Sequence, residues 1–110
     1  MRVYELLMKA IEERDATHYV EILHDDYEFV RHQTGTTMDK IQMSDMMASM
    51  MANSEVLINE PRCIYENDEI LVEHSVMSFP DGSREAVMAV HTKKDGRLIR
   101  TETGATLLSD

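Results

Sequence analysis

Apolar positions along this chain keep a helical period through the first half and a strand period through the second. Val3, Leu6, Leu7, Ala10 and Ile11 recur at three-and-four spacing with Glu5, Lys9, Glu12 and Glu13 between them, which predicts an amphipathic helix. Asp15 restarts the chain as an N-cap does. Ala16, Tyr19, Val20 and Leu23 then form a second stripe, ended by His24-Asp25-Asp26. Tyr27 to Arg31 reads as a short strand and Gly35-Thr36-Thr37 as a loop. Asp39 and Gln42 are spaced as a capping box, and Met43, Met46, Met47, Met50 and Met51 make a third helical stripe that Asn53 closes.

Beyond Ser54, β-rich runs over residues 55–66, 69–79, 84–94 and 97–108 are separated by Asn67-Asp68, Pro80-Asp81-Gly82 and Asp95-Gly96. Asp-Gly between such runs signals a hairpin. The expected fold class is α+β: three N-terminal helices packed in a strongly curved antiparallel sheet, a short strand plus a four-stranded meander, forming a single domain over residues 1–110.

Two-residue turns at Asn67-Asp68, Asp81-Gly82 and Asp95-Gly96 would set Arg62 opposite Glu73, Glu73 opposite Val90, and Val90 opposite Thr101. Side chains alternate between faces. One row then holds Ile58, Glu60, Arg62, Ile64, Leu71, Glu73, Ser75, Met77, Phe79, Ala86, Met88, Val90, Ile99, Thr101, Thr103, Ala105 and Leu107. The other holds Cys63, Tyr65, Val72, His74, Val76, Val87, Ala89, His91, Leu98, Arg100 and Glu102. The first is the more continuously apolar and is expected to face the helices. The second, mixed row suggests a partner surface.

Charge narrows the partners. The formal net charge of −10 over 110 residues, with no basic run, argues against nucleic acid and anionic membrane. The N-terminus lacks the uncharged apolar stretch of a signal peptide, and the one cysteine, Cys63, fits a reducing compartment, so a cytoplasmic location is expected. Cys63 itself reads as an inert buried thiol.

The order helix, helix, short strand, helix, meander resembles the nuclear-transport-factor-2-like superfamily, and within it the SnoaL-like proteins. Ile22-Leu23-His24-Asp25-Asp26-Tyr27-Glu28-Phe29 running off the second helix, and Thr34-Gly35-Thr36 before the third, carry that resemblance. It implies a cystatin-like, cone-shaped barrel around a pocket, and a homodimer formed through the outer sheet face. It sets Thr101 and Thr103 on the pocket face, as the turns do, and places His32 near the pocket mouth. Ketosteroid isomerases in that superfamily use a carboxylate base and two oxyanion donors. The matching positions here, near Arg31 or His32, Leu7 and Val90, supply none of them.

The expected pocket lining is Tyr19, Tyr27, Phe29, Arg31, Met47, Met50, Ser75, Met77, Met88, Val90, Thr101 and Thr103. The expected interface is His74, His91, Arg100 and Glu102. Glu60, Arg62 and Glu73 on the inner row form an acid–Arg–acid set that resembles in kind the trio of limonene epoxide hydrolase in that superfamily, which implies acid–base chemistry on an epoxide; the alternative is a plain cross-strand ion pair. His32, with Glu73 and Arg62, is the catalytic candidate set, because a histidine titrates near neutral pH. The histidines show no metal-binding spacing, so no metal and no cofactor are expected. The expected function is binding of a small, largely apolar molecule, with cofactor-free isomerase, cyclase or hydratase chemistry. The alternative is a non-catalytic dimeric binding or interaction module that uses the outer face.

Overall fold

The computed structural model describes residues 2–109. Helix α1 spans Val3–Glu12, α2 Ala16–Glu21 and α3 Lys40–Ala52; strands β1 to β6 span Leu23–Arg31, Thr36–Asp39, Leu57–Glu66, Ile70–Ser78, Arg84–Lys94 and Arg97–Leu108. They form one curved, unclosed sheet in the order β2-β1-β6-β5-β4-β3, in which only β1 and β6 run parallel.

The helix starts follow from their caps. Asp15 accepts the His18 N–H at 3.0 Å. Asp39 and Gln42 form a reciprocal capping box, with bonds of 2.8 and 2.9 Å. Glu66, from the end of β3, takes the corresponding place at α1 and accepts the Val3 N–H at 2.9 Å. Its carboxylate also receives Lys93 Nζ at 2.6 Å, and both side chains are buried. Burial alone would raise the Glu66 pKa; the hydrogen bonds from Lys93, Val3 and Tyr4 outweigh it and hold the carboxyl below its usual range. Arg14 donates to the Met51, Asn53 and Val56 carbonyls and so ties the end of α1 to the end of α3.

The core lies between the helices and the concave sheet face. Leu7, Leu23, Leu71 and Leu98 are its fully buried members, with Tyr19, Tyr27, Phe29, Met43 and Met47 around them. Two of these positions correct the sequence pattern. Leu23 belongs to β1 rather than to α2, so the strand begins four residues before Tyr27. Leu98 points inward, not outward. Thr36–Asp39 is a strand, β2, not a loop; it pairs with Glu28 to Arg31 and makes the sheet six-stranded.

The turns explain which faces differ from expectation. Asp95-Gly96 is a two-residue turn with Lys94 opposite Arg97; both turn residues have positive φ, 55° and 75°, as a type I′ turn demands. The β4–β5 turn has three residues instead. Phe79 N–H donates to the Ser83 carbonyl, Gly82 N–H to the Phe79 carbonyl, and Gly82 has φ 87°. Gly82 takes the left-handed position that follows a type I turn. One extra loop residue sets Glu73 opposite Ala89 rather than Val90 and turns all of β5 over. A bulge at Thr92/Lys93 then sets Val90 opposite Glu102. The two shifts cancel for Thr101 and Thr103, which face inward as expected.

The β3–β4 turn falls one residue later, at Asp68-Glu69, because the Asn67 side chain accepts the Glu69 and Ile70 N–H groups and Asn67 N–H bonds the Ile70 carbonyl. Two irregularities in β3, one of them holding Glu60 at φ 51°, turn Cys63 inward and Arg62 outward while Ile58 stays inward.

Candidate functional site

Matching registers line up one rung across the concave face: Arg31 beside Thr103, Thr103 beside Ala89, Ala89 beside Glu73, and Glu73 beside Cys63. The next rung toward the core holds Phe29, Thr101, His91 and Leu71. Glu73 and His91 are diagonal neighbours on β4 and β5, and His91 Nε2 lies 3.0 Å from Glu73 Oε2. His91 Nδ1 lies 2.7 Å from Thr101 Oγ1. An ionised carboxylate only accepts, so Nε2 donates to Glu73; the Nδ1 of a neutral ring then accepts the Thr101 hydroxyl proton. The chain Thr101–His91–Glu73 is therefore fully connected, with the His91 ring 4% and Glu73 18% exposed.

Three phenols surround it. Burial pushes the Tyr19 phenol well above its usual value, with the Tyr27 and Glu73 charges adding to the effect. Burial likewise raises Tyr27, and there the nearby Thr101 hydroxyl pulls the other way. Thr101 is already committed to His91, however, and the buried Tyr27 hydroxyl makes no hydrogen bond. Tyr4, raised by partial burial first, also feels Glu73 and Cys63. All three stay protonated donors at neutral pH.

A second polar pair stands toward the wide end of the concave face. Arg31 Nη2 donates to both Glu85 oxygens, at 3.2 and 3.1 Å, and to Gln33 Oε1 at 2.9 Å. Glu85 is buried. The pair reaches from β1 to β5 over β6, where Thr103, Gly104 and Ala105 are small.

Not every predicted site residue joins these groups. Met88 and Val90 sit on the outer face and are exposed, so they do not line the concavity. His91 moves the other way: it is buried inside and is no interface residue. Arg62 is exposed opposite His74, and Glu60 is exposed at its bulge, so Glu60, Arg62 and Glu73 are not brought together. His32 is exposed and pairs at 3.0 Å with Glu102 on the outer face, which lowers the Glu102 pKa. Tyr19, Tyr27, Phe29, Arg31, Ser75, Met77, Thr101 and Thr103 do face inward. The sequence reasoning passed over Glu85 and Tyr4; a three-residue turn at Pro80-Asp81-Gly82 would have put Glu85 inside, opposite Met77.

Beside α3 there is little open space. Met47, Met50 and Met51, with Ile11, Arg14, Val56 and Ile58, line a pocket of only about 40 Å3, the space of a water or so. Ser75, Met77, Val87, Thr103 and Ala105 are half-buried, so the concave face toward its wide end is a partly open surface. A polar groove of about 650 Å3 lies elsewhere, between the start of α1 and the Glu66–Lys93 pair. Among the described residues no group of His, Cys, Asp or Glu is placed to hold a metal ion. Among the described residues no helix is long and apolar enough to cross a membrane.

Residues 4–101 match the SnoaL-like domain family. The chain belongs to the SnoaL-like family. Solved structures share its fold across nearly the whole length. An NTF-2-like protein of unknown function from Burkholderia xenovorans LB400 superposes with a TM-score of 0.77 at 11% identity, covering 97% of this chain and 82% of that one. A putative polyketide cyclase from Sinorhizobium meliloti gives 0.73 at 18% identity, covering 93% of each chain. A hypothetical protein with a ketosteroid isomerase-like fold from Catenulispora acidiphila, in complex with trimethylamine, gives 0.68 at 14%, covering 93% of this chain and 83% of that one. At these identities the likeness concerns the fold. No curated protein sequence matches this SnoaL-like chain.

Proposed function

We propose that the concave face of this SnoaL-like protein binds a small, largely apolar molecule, and that Glu73 and His91 move a proton on it without a cofactor. The supporting observation is the Thr101–His91–Glu73 chain on that face. A carboxylate held by an imidazole, which is itself oriented by a hydroxyl, is the arrangement of a general base with its positioning partners. Tyr27 supplies an uncommitted donor in the same region, of the kind that stabilises a developing oxyanion. The reaction class is isomerisation, cyclisation or hydration through a stabilised carbanion. The putative polyketide cyclase among the structural neighbours supports this reading.

Base catalysis is testable with a neutral aromatic methyl ketone that carries a second oxygen at its far end, such as 6-methoxy-2-acetylnaphthalene, in D2O. Glu73 would take a proton from the acetyl methyl group and return deuterium. The expected result is deuterium incorporation above the buffer rate, reduced about 100-fold or more by Glu73→Gln with binding retained. Binding without any protein-dependent exchange would remove the catalytic part.

A second reading has its own support. Tyr65, Met88 and Val90 on the outer face are 54%, 45% and 36% exposed. That row suits a homodimer through the outer sheet, with His74, Arg100 and Glu102 beside the apolar residues, in a non-catalytic binding module.

A further inference from the structure

The Arg31–Glu85 pair plays no part in the proton-transfer chain, yet it is built into the same concave face. Arg31 shares its rung with Glu73, separated by the small residues Thr103 and Ala89. Three strand spacings of about 4.8 Å set the two residues roughly 14 Å apart along the sheet. All of the bonds Arg31 makes to Glu85 and Gln33 use Nη2. Nε is buried without a partner, and among the described residues Nη1 donates to nothing. A guanidinium carries five N–H donors and cannot lose its proton, so the Nη1 group has donors to spare for a ligand.

The charge of that donor set decides what it accepts. Glu85 is 9% exposed and lies against the guanidinium, so the pair is neutral as a whole. A carboxylate brought to the spare donors would meet the Glu85 charge at close range, beside a guanidinium that is 36% exposed, and like charges repel there. A carbonyl or hydroxyl oxygen accepts the same hydrogen bond without that penalty.

We propose that Arg31, neutralised by Glu85, is a subsite for an uncharged acceptor oxygen at the end of a ligand remote from its reacting carbon, the apolar body lying over Thr103 and Ala89 toward Glu73. This rests on the reading of the concave face as a ligand site, and it narrows the ligand class to neutral ketones, enones or alcohols, excluding their carboxylic acids.

The test uses three probes of one skeleton: 2-methylnaphthalene, 2-acetylnaphthalene and 2-naphthoate. Affinities are measured by protein-observed NMR on the intact chain and on Glu85→Gln. In the intact chain the ketone binds about tenfold or more tighter than the hydrocarbon, as a hydrogen bond to a charged donor implies, and the naphthoate binds weaker than the ketone. In Glu85→Gln the uncompensated guanidinium draws the naphthoate, whose affinity rises about tenfold or more relative to the ketone. Naphthoate binding tighter than ketone in the intact chain overturns the proposal. Equal affinity of hydrocarbon and ketone overturns the subsite and leaves the apolar-ligand reading standing. Failure of all three to bind the concave face removes both.

Discussion

Glu73 and His91 are not directly opposed in the sheet; they are diagonal neighbours whose side chains meet at 3.0 Å. Diagonal pairs come within reach only of long or aromatic side chains, so this contact depends on both residue types. Glu73→Ala and His91→Ala should each cost about 1–3 kcal/mol, since each leaves a polar partner without its match. A double-mutant cycle by urea unfolding should return a coupling of about 1 kcal/mol or more. A coupling near zero would mean the two side chains do not act together.

The acid limb of the stability curve should belong in good part to Glu66. Its folded pKa lies below the unfolded value of about 4.3. The stabilisation it gives is therefore fully present above that unfolded pKa and is lost as pH falls through the folded one. Glu66→Gln should flatten the decline of stability below about pH 4.5. At neutral pH it should cost about 3 kcal/mol, because Lys93 is left buried without its partner. An unchanged acid limb in thermal melts from pH 6 to pH 3 would place the acid sensitivity elsewhere.

Inward and outward faces give an equally direct check. Leu98 is fully buried and Met88 is 45% exposed. Leu98→Ala should cost about 2–5 kcal/mol, and Met88→Ala less than about 0.5 kcal/mol, at concentrations low enough that association adds nothing. The opposite ranking would restore the face assignment that two-residue turns imply.

The outer row carries the dimer reading. Met88→Arg with Val90→Arg puts two charges into its apolar patch, and sedimentation velocity should show the chain shifting to monomer at concentrations where the unaltered protein is dimeric. A protein that is monomeric throughout the micromolar range would exclude the outer face as a stable interface.

Much of this fold is legible in the sequence because its local signals agree with one another. Asp15, Asp39 and Gln42 mark helix starts, and Asp95-Gly96 marks a type I′ hairpin. The SnoaL-like family was legible as well, from the order of elements. The site was less so, and the reason is parity. Pro80-Asp81-Gly82 accommodates a two- or a three-residue loop, and the choice moves every β5 side chain to the other face. That one residue decides whether His91 or Val90 meets Glu73. The β3 irregularities scatter Glu60 and Arg62 in the same way. β2 went unseen because Thr36–Asp39 is only four residues long and half of it is the approach to a helix cap.

The measurement that bears most directly on the central claim is an amide and imidazole NMR titration with 2-acetylnaphthalene. The account predicts saturable shifts at Ser75, Val87, Thr103 and Ala105, together with the ring nitrogens of His91. Shifts confined to Tyr65, His74, Met88 and Val90, or no saturable shifts on the concave face, would contradict it.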